Sequence, residues 1–149
     1  MDAVTPKGAQ TADIHSHLVR PQNMEWQKTR FPGCEVKTLL FDRETGLVTA
    51  LMRFAPGAVL PDHEHVKIEQ TYVLEGKLVD KEGPDAGLTV GPGEFVWRPA
   101  GSRHVAWAPE GGLMLAMFQI PNKFYERNGR VTDSTGKDWE SLWSRLLKD

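Results

Sequence analysis

The stretch GAVLPDHEHVKIEQTYVLEG, residues 57–76, poses the question on which the fold turns. It sets His63, Glu64, His65 and then Glu69 among residues of strand character. A strand that buries one face does not ordinarily spend that face on imidazoles. These ionisable groups are therefore either solvated or bound to something.

On a strand, His63 and His65 project from the same face, about 6.5–7 Å apart along the axis. Imidazoles at that spacing can converge on one ion, since metal–nitrogen bonds run to about 2.0–2.1 Å for zinc. Glu69 shares their parity, but a straight strand would carry it roughly 13 Å beyond His65. The chain must then turn near Val66-Lys67. Pairing a strand through His63-His65 with one from Ile68 to Leu74 brings Glu69 back. A lone His-x-His is weak, and it recurs at His15-Ser16-His17, which reads as a solvated arm.

Outward from this stretch the chain is a run of short apolar segments broken by Gly and Pro: VKTLLF, LVTALMRF, TYVLEG, GLTV, EFVWRP, RHVAWA and LMLAMFQI. That texture predicts an all-β sandwich or barrel. Residues 1–20 read as a flexible N-terminal arm and residues 21–149 as one domain. Near the end, Asn128-Gly129 predicts a type I′ hairpin turn. Trp139, Leu142, Trp143, Leu146 and Leu147 fall at helical spacing, with Thr135 and Asp138 as a variant capping box.

With 149 residues the chain suits a single domain. Its net charge of −2, without a basic block, disfavours nucleic acid. Cys34 is the single cysteine, so no intrachain disulfide can form. No signal-like start and no membrane span is seen, which predicts a cytoplasmic protein.

A second block, GEFVWRPAGSRH, spans Gly93 to His104. Together, G-x5-H-x-H-x3-E-x6-G from Gly57 to Gly76 and G-x5-P-x-G-x2-H from Gly93 to His104 resemble the two motifs of the cupins. The position where an Asn commonly follows the second motif holds Ala108. The resemblance implies an RmlC-like jelly-roll barrel, or double-stranded β-helix, with the short C-terminal α-helix added. It also implies that His63, His65, Glu69 and His104 bind one divalent transition metal. Three imidazoles and a carboxylate suit Fe(II), Mn, Ni or Zn better than Ca or Mg. On a six-coordinate ion, two positions remain for substrate, water or dioxygen.

The substrate pocket should lie on the face bearing the ligands. Ala106 shares parity with His104 and leaves room. Arg53 could point inward as an anion clamp or outward to solvent. Met117 and Trp97 are further pocket candidates, Trp97 sharing a face with Phe95. Which face of strands 47–54 and 113–119 lines the cavity is open at this stage.

WQKTRFPGCEVKTLLFD, TGLVTALMRFAPGAVLPDHEH and QTYVLEGKLVD are similar to the small single-domain cupins of the ChrR-like group. NKFYERNGRV and the Trp-bearing tail are also similar to the diketone-cleaving dioxygenases of the superfamily, which use Fe(II) held by three histidines. Glu69 is an additional ligand candidate relative to those enzymes. The resemblance therefore implies an Fe(II) dioxygenase cleaving a small diketone or hydroxy-ketone. The alternatives are a zinc-binding sensing module without turnover and a cupin isomerase or lyase. A homodimer acting on a small molecule is expected.

Overall fold

A computed structural model describes Val4–Thr5 and residues 14–148. The expected arm over residues 1–20 lies largely outside the described residues. Among the described residues there are thirteen strands: β1 (Val4–Thr5), β2 (Gln27–Lys28), β3 (Cys34–Asp42), β4 (Leu47–Phe54), β5 (Ala58–Glu64), β6 (Glu69–Gly76), β7 (Leu78–Glu82), β8 (Thr89–Val90), β9 (Phe95–Arg98), β10 (Arg103–Ala108), β11 (Gly112–Gln119), β12 (Lys123–Tyr125) and β13 (Val131–Thr132). A short helix, α1 (Trp139–Trp143), runs into a 3-10 turn at Ser144–Leu147.

The strands form two sheets. One has the order β1-β3-β4-β11-β6-β9, with β2 also on β3; the other runs β13-β12-β5-β10-β7-β8. All pairings are antiparallel except β1 with β3. From β4 to β12 the chain crosses repeatedly from one sheet to the other, the jelly-roll arrangement the sequence predicts.

Alternation decides which side chains enter the sandwich. On β4, Val48, Ala50 and Phe54 are buried; on β11, Met114 and Ala116; on β6, Glu69, Thr71 and Val73. These inner faces meet β5 and β10 across a core that includes Phe54, Leu60, Val73, Ala106, Ala108, Met114 and Phe124. Such burial is the main stabilising term, at roughly 25 cal/mol per Å² of apolar surface.

The segment through His63 does not pair with the one from Glu69, contrary to the expected register. β5 pairs with β10 and β12, whereas β6 pairs with β11 and β9 in the other sheet. The turn near Val66-Lys67 crosses between the sheets, so Glu69 faces the histidines across the interior. This satisfies the same steric demand by a different route.

β5 holds a second feature that periodicity alone does not reveal. Ala58 and Leu60 are buried, Pro61 is exposed, and burial resumes at His63 and His65. Opposite, His104 pairs with His63 and Ala106 with Leu60, so one residue of β10 faces two of β5. This bulge at Pro61-Asp62 switches the inward parity from even to odd numbers. Proline tolerates such a site because no ladder hydrogen bond is asked of it.

The C-terminal segment closes one end of the sandwich. Trp139 and Trp143 pack with Ile120, and Phe41, Val66 and Leu146 surround them. The indole Nε1–H of Trp139 donates to the Pro121 carbonyl at 2.7 Å, and that of Trp143 to Asp133 Oδ2 at 3.1 Å. The helix is capped by Asp138 itself, whose Oδ2 accepts from the Ser141 backbone N–H at 3.0 Å. Thr135 instead donates its hydroxyl to Asp133 Oδ1 at 2.6 Å, which corrects the capping box read from the sequence. The Asn128-Gly129 turn also differs from type I′, which needs a left-handed residue at both central positions. Only Gly129 has a positive φ, +87°, and a three-residue loop joins Glu126 to Arg130. Its Gly-terminated form fits the bulged hairpin class.

Candidate metal centre

Three histidines meet in the interior. Among the described residues, His63, His65 and His104 form a group whose ligand atoms all lie within 4.8 Å of one another. β5 with its bulge aims His63 inward, the end of β5 brings His65, and β10 sets His104 directly opposite His63. All three are buried, and their rings pack with centroids 4.6–5.0 Å apart. His15 and His17 are exposed and do not belong to this group.

Each ring turns its Nδ1 towards an oxygen outside the group. Nδ1 of His63 lies 2.6 Å from the Pro61 carbonyl oxygen, a bond the bulge makes available. Nδ1 of His104 lies 3.0 Å from Asp80 Oδ1. Nδ1 of His65 lies 3.2 Å from Glu69 Oε2, an approach too bent for a hydrogen bond, so this buried nitrogen is left without one. On the other side, Nε2 of His65 and Nε2 of His104 stand 3.0 Å apart.

This arrangement fits a metal ion. The Pro61 carbonyl and Asp80 Oδ1 can only accept from Nδ1 of His63 and His104, which leaves the Nε2 of His104 with its lone pair towards Nε2 of His65, where a cation could bind both. For metal–nitrogen bonds of about 2.0–2.1 Å, donors 3.0 Å apart subtend roughly a right angle. Imidazole donors suit Zn, Cu, Fe or Ni. Burial and the neighbouring His104 push His63 down to about 3, against the pull of the Pro61 carbonyl. Burial, then His63 and His104, push His65 down to about 2. Both rings are thus neutral, the protonation state a metal requires.

Glu69 lies beside the group rather than within it. Its Oε1 accepts from the Thr71 hydroxyl at 3.2 Å and lies 3.9 Å from Arg98 Nε. Burial pushes its carboxyl up to about 7, although Arg98 pulls it down.

A cavity of about 970 Å³ opens from the sandwich interior to the surface. Val36, Ala50, Met52, Leu60, Phe118 and Phe124 form its apolar wall, with Glu69 and Asn122 at the polar end beside His65 and charged residues such as Arg30, Arg43 and Asp133 lining it as well. The inner face of β4 is therefore Val48, Ala50 and Met52, and that of β11 is Met114, Ala116 and Phe118. Asn122 Oδ1 is buried without a hydrogen bond of good geometry, yet the Asn122 side chain lies close enough to His65 to pull that ring's value up against burial. Asn122 follows Ile120, a β-branched residue at φ 66°. Strain of that kind persists only where surrounding structure enforces it.

The pocket candidates divide. Ala106 is buried on the inner face of β10. Arg53 points outward, pairing with Glu35 at 2.7 Å and stacking on Trp26. Trp97 is 58% exposed on the outer face, with Phe95 beside it. Met117 alternates with the buried Ala116 and so faces away from the cavity. Parity explains all three: Val96 and Arg98, not Phe95 and Trp97, take the inner face of β9.

Sequence reading missed Asp80, Arg98, Asn122 and the carbonyl of Pro61. Asp80 had a visible signal, since it alternates in phase with Leu78. Both are buried on the inner face of β7. Arg98 shared the phase of Val96. Burial alone would raise the Asp80 carboxyl, yet hydrogen bonds from His104 and Arg98 bring it below its ordinary value.

Known structures support the fold. An acetylacetone dioxygenase from Acinetobacter johnsonii superposes with a TM-score of 0.68 at 22% identity, covering 99% of this chain and 98% of that one. A candidate acetylacetone dioxygenase from Methylibium petroleiphilum PM1 gives 0.71 at 22% identity, covering 83% and 92%. An RmlC-like cupin from Ralstonia eutropha JMP134 gives 0.69 at 16% identity, covering 90% and 86%. No curated protein sequence matches the chain. The model of the ChrR cupin-like domain matches residues 15–123. Carrying both motifs, and folding into a jelly roll that gathers their histidines, the chain belongs to the ChrR cupin-like domain family.

Proposed function

We propose that the protein is a metal-dependent dioxygenase acting on a small diketone or hydroxy-ketone, with Fe(II) as the favoured ion. The observation that carries this reading is the convergence of His63, His65 and His104, next to a cavity lined by their neighbours Glu69 and Phe124 rather than by the histidines themselves. When bound, a divalent transition metal supplies Lewis acidity and open positions for two substrate oxygens or dioxygen.

The chain's own residues do the rest. The three imidazoles hold the ion, and Glu69, whose Oε2 lies 3.2 Å from His65 Nδ1, is the further ligand candidate. The apolar wall from Val36 to Phe124 seats the carbon skeleton and keeps water away. Asn122, its Oδ1 without a hydrogen bond of good geometry, is placed to accept from a substrate hydroxyl or enol. The similarity to acetylacetone dioxygenases, at 22% identity, supports the fold, and the three-histidine set supports the chemistry.

The protein is further proposed to work as a homodimer in the cytoplasm. No helix among the described residues is long and apolar enough to cross a membrane.

The test is metal analysis of protein expressed without added metal, followed by dioxygen uptake across a panel of diketones and hydroxy-ketones. Stoichiometric iron with substrate-dependent uptake is the expected result. Tightly held zinc with no uptake would instead mark a binding or sensing module.

A further inference from the structure

Behind the histidine group lies a second buried layer of charge. Asp80 on β7 and Arg98 on β9 are 2% and 5% exposed. They belong to opposite sheets, and their side chains meet across the interior. Arg98 NH1 donates to Asp80 Oδ2 and NH2 to Asp80 Oδ1, each at 2.8 Å. Asp80 Oδ1 also receives Nδ1 of His104 at 3.0 Å. The third nitrogen of Arg98, Nε, has no hydrogen bond and lies 3.9 Å from Glu69 Oε1. Glu69 in turn touches His65. One guanidinium therefore stands behind two of the three histidines.

A buried ion pair is poor value as a stabiliser, because desolvation consumes most of its attraction. Its geometry here has a more specific consequence. The Arg98 fork fixes the carboxylate plane of Asp80 bidentately. The fixed Asp80 Oδ1 holds the proton of His104 on Nδ1, so that Nε2 presents its lone pair to His65. Without it, the His104 ring is free to take the other tautomer or to turn over. Outer partners of this kind set the tautomer and basicity of metal-ligating histidines.

We propose that Asp80 and Arg98 are positioning residues of the centre: Arg98 locks Asp80, and Asp80 locks the tautomer and direction of His104. This rests on the reading of the three histidines as a metal site. Neither residue reaches the ion itself.

The experiment uses the intact protein loaded with Co(II). Asp80→Leu/Arg98→Met removes both charges together, so neither is left buried alone. Chelator competition should then show affinity for Co(II) reduced by roughly 10–100-fold, with a shifted visible ligand-field spectrum. The melting temperature of the metal-free double variant should stay near that of the parent, which separates positioning from folding. Parent-like affinity and spectrum in the folded double variant would overturn the proposal. Should that variant not fold, 15N-histidine NMR of the parent decides: His104 protonated on Nδ1 in the metal-free protein supports the proposal, and protonation on Nε2 overturns it. A parent that takes up no Co(II) would count against the metal site itself, a failure distinct from either outcome.

Discussion

Nε2 of His65 stands 3.0 Å from Nε2 of His104, although 39 residues separate them in the chain. Replacing His104 with Ala removes one donor from the group. The expected outcome is loss of stoichiometric metal, whereas His15→Ala, on the exposed N-terminal segment, retains it. Elemental analysis of the two purified variants checks this; equal metal in both would refute the assignment of the ligands.

The metal-free protein should weaken as pH falls. His63 and His65 have folded values pushed down to about 3 and about 2, against about 6.5 when unfolded. The unfolded chain therefore binds two more protons at these sites once pH drops below about 6.5. Glu69 opposes this: its folded value of about 7 lies above the unfolded 4.3 or so, making the folded state the better proton acceptor between them. The net is one proton, or at most about 1.4 kcal/mol lost per pH unit down to roughly pH 4.3, steepening below. Asp80 and Asp133, both held below the ordinary carboxylate range, add to the loss at lower pH. Urea midpoints at pH 7, 5.5 and 4 in the presence of chelator measure the slope. A flat or rising profile would contradict it.

Asn122→Ala deletes the amide at the polar end of the cavity. On the proposed function it should raise KM for an enolisable substrate by about tenfold, the scale of one hydrogen bond at ~1 kcal/mol or slightly more. Metal content should stay unchanged. An unaltered KM would remove Asn122 from the substrate's contacts.

Gly76→Ala should destabilise the fold. At φ +73° a side chain is already disfavoured by about 1–2 kcal/mol. Its Cβ would also be driven into the carbonyl oxygen of Gly111. This explains the terminal glycine of the first motif as a packing requirement between the β6–β7 and β10–β11 turns. Denaturant unfolding of the variant should show a lower midpoint with an unchanged slope.

Trp139→Ala opens the closure at the C-terminal end. The ring is 1% exposed and its N–H is bonded to Pro121. A loss of about 3–5 kcal/mol is expected from the cavity it leaves, measurable by calorimetry.

Much of this architecture was legible because its determinants are local. Glycine and proline breaks delimit the strands, and period-two alternation puts Val73 inside and Tyr72 outside. His63, His65 and His104 could be singled out because two spaced motifs carry them. What stayed hidden depends on contacts between distant strands. The inward phase of β4 and β11 is set by which face the opposite sheet covers, so Arg53 and Met117 could not be placed from their own segments. Asp80 and Arg98 become meaningful only when β7 and β9 face each other across the interior. The bulge in β5 is invisible to alternation because it is a fault in alternation.

That fault bears on the chemistry of this barrel through a main-chain oxygen, the Pro61 carbonyl at His63 Nδ1, rather than through parity. Deleting Pro61 or Asp62 would restore an uninterrupted zigzag in which Ala58, Leu60 and both imidazoles of the following pair still face inward, but the Pro61 carbonyl would no longer hold its present place against Nδ1 of His63. Such a chain should keep its hydrophobic interior and its three imidazoles while gripping the first of them less firmly, so shortening this single corner would separate what the bulge does for that ring from what the motif does.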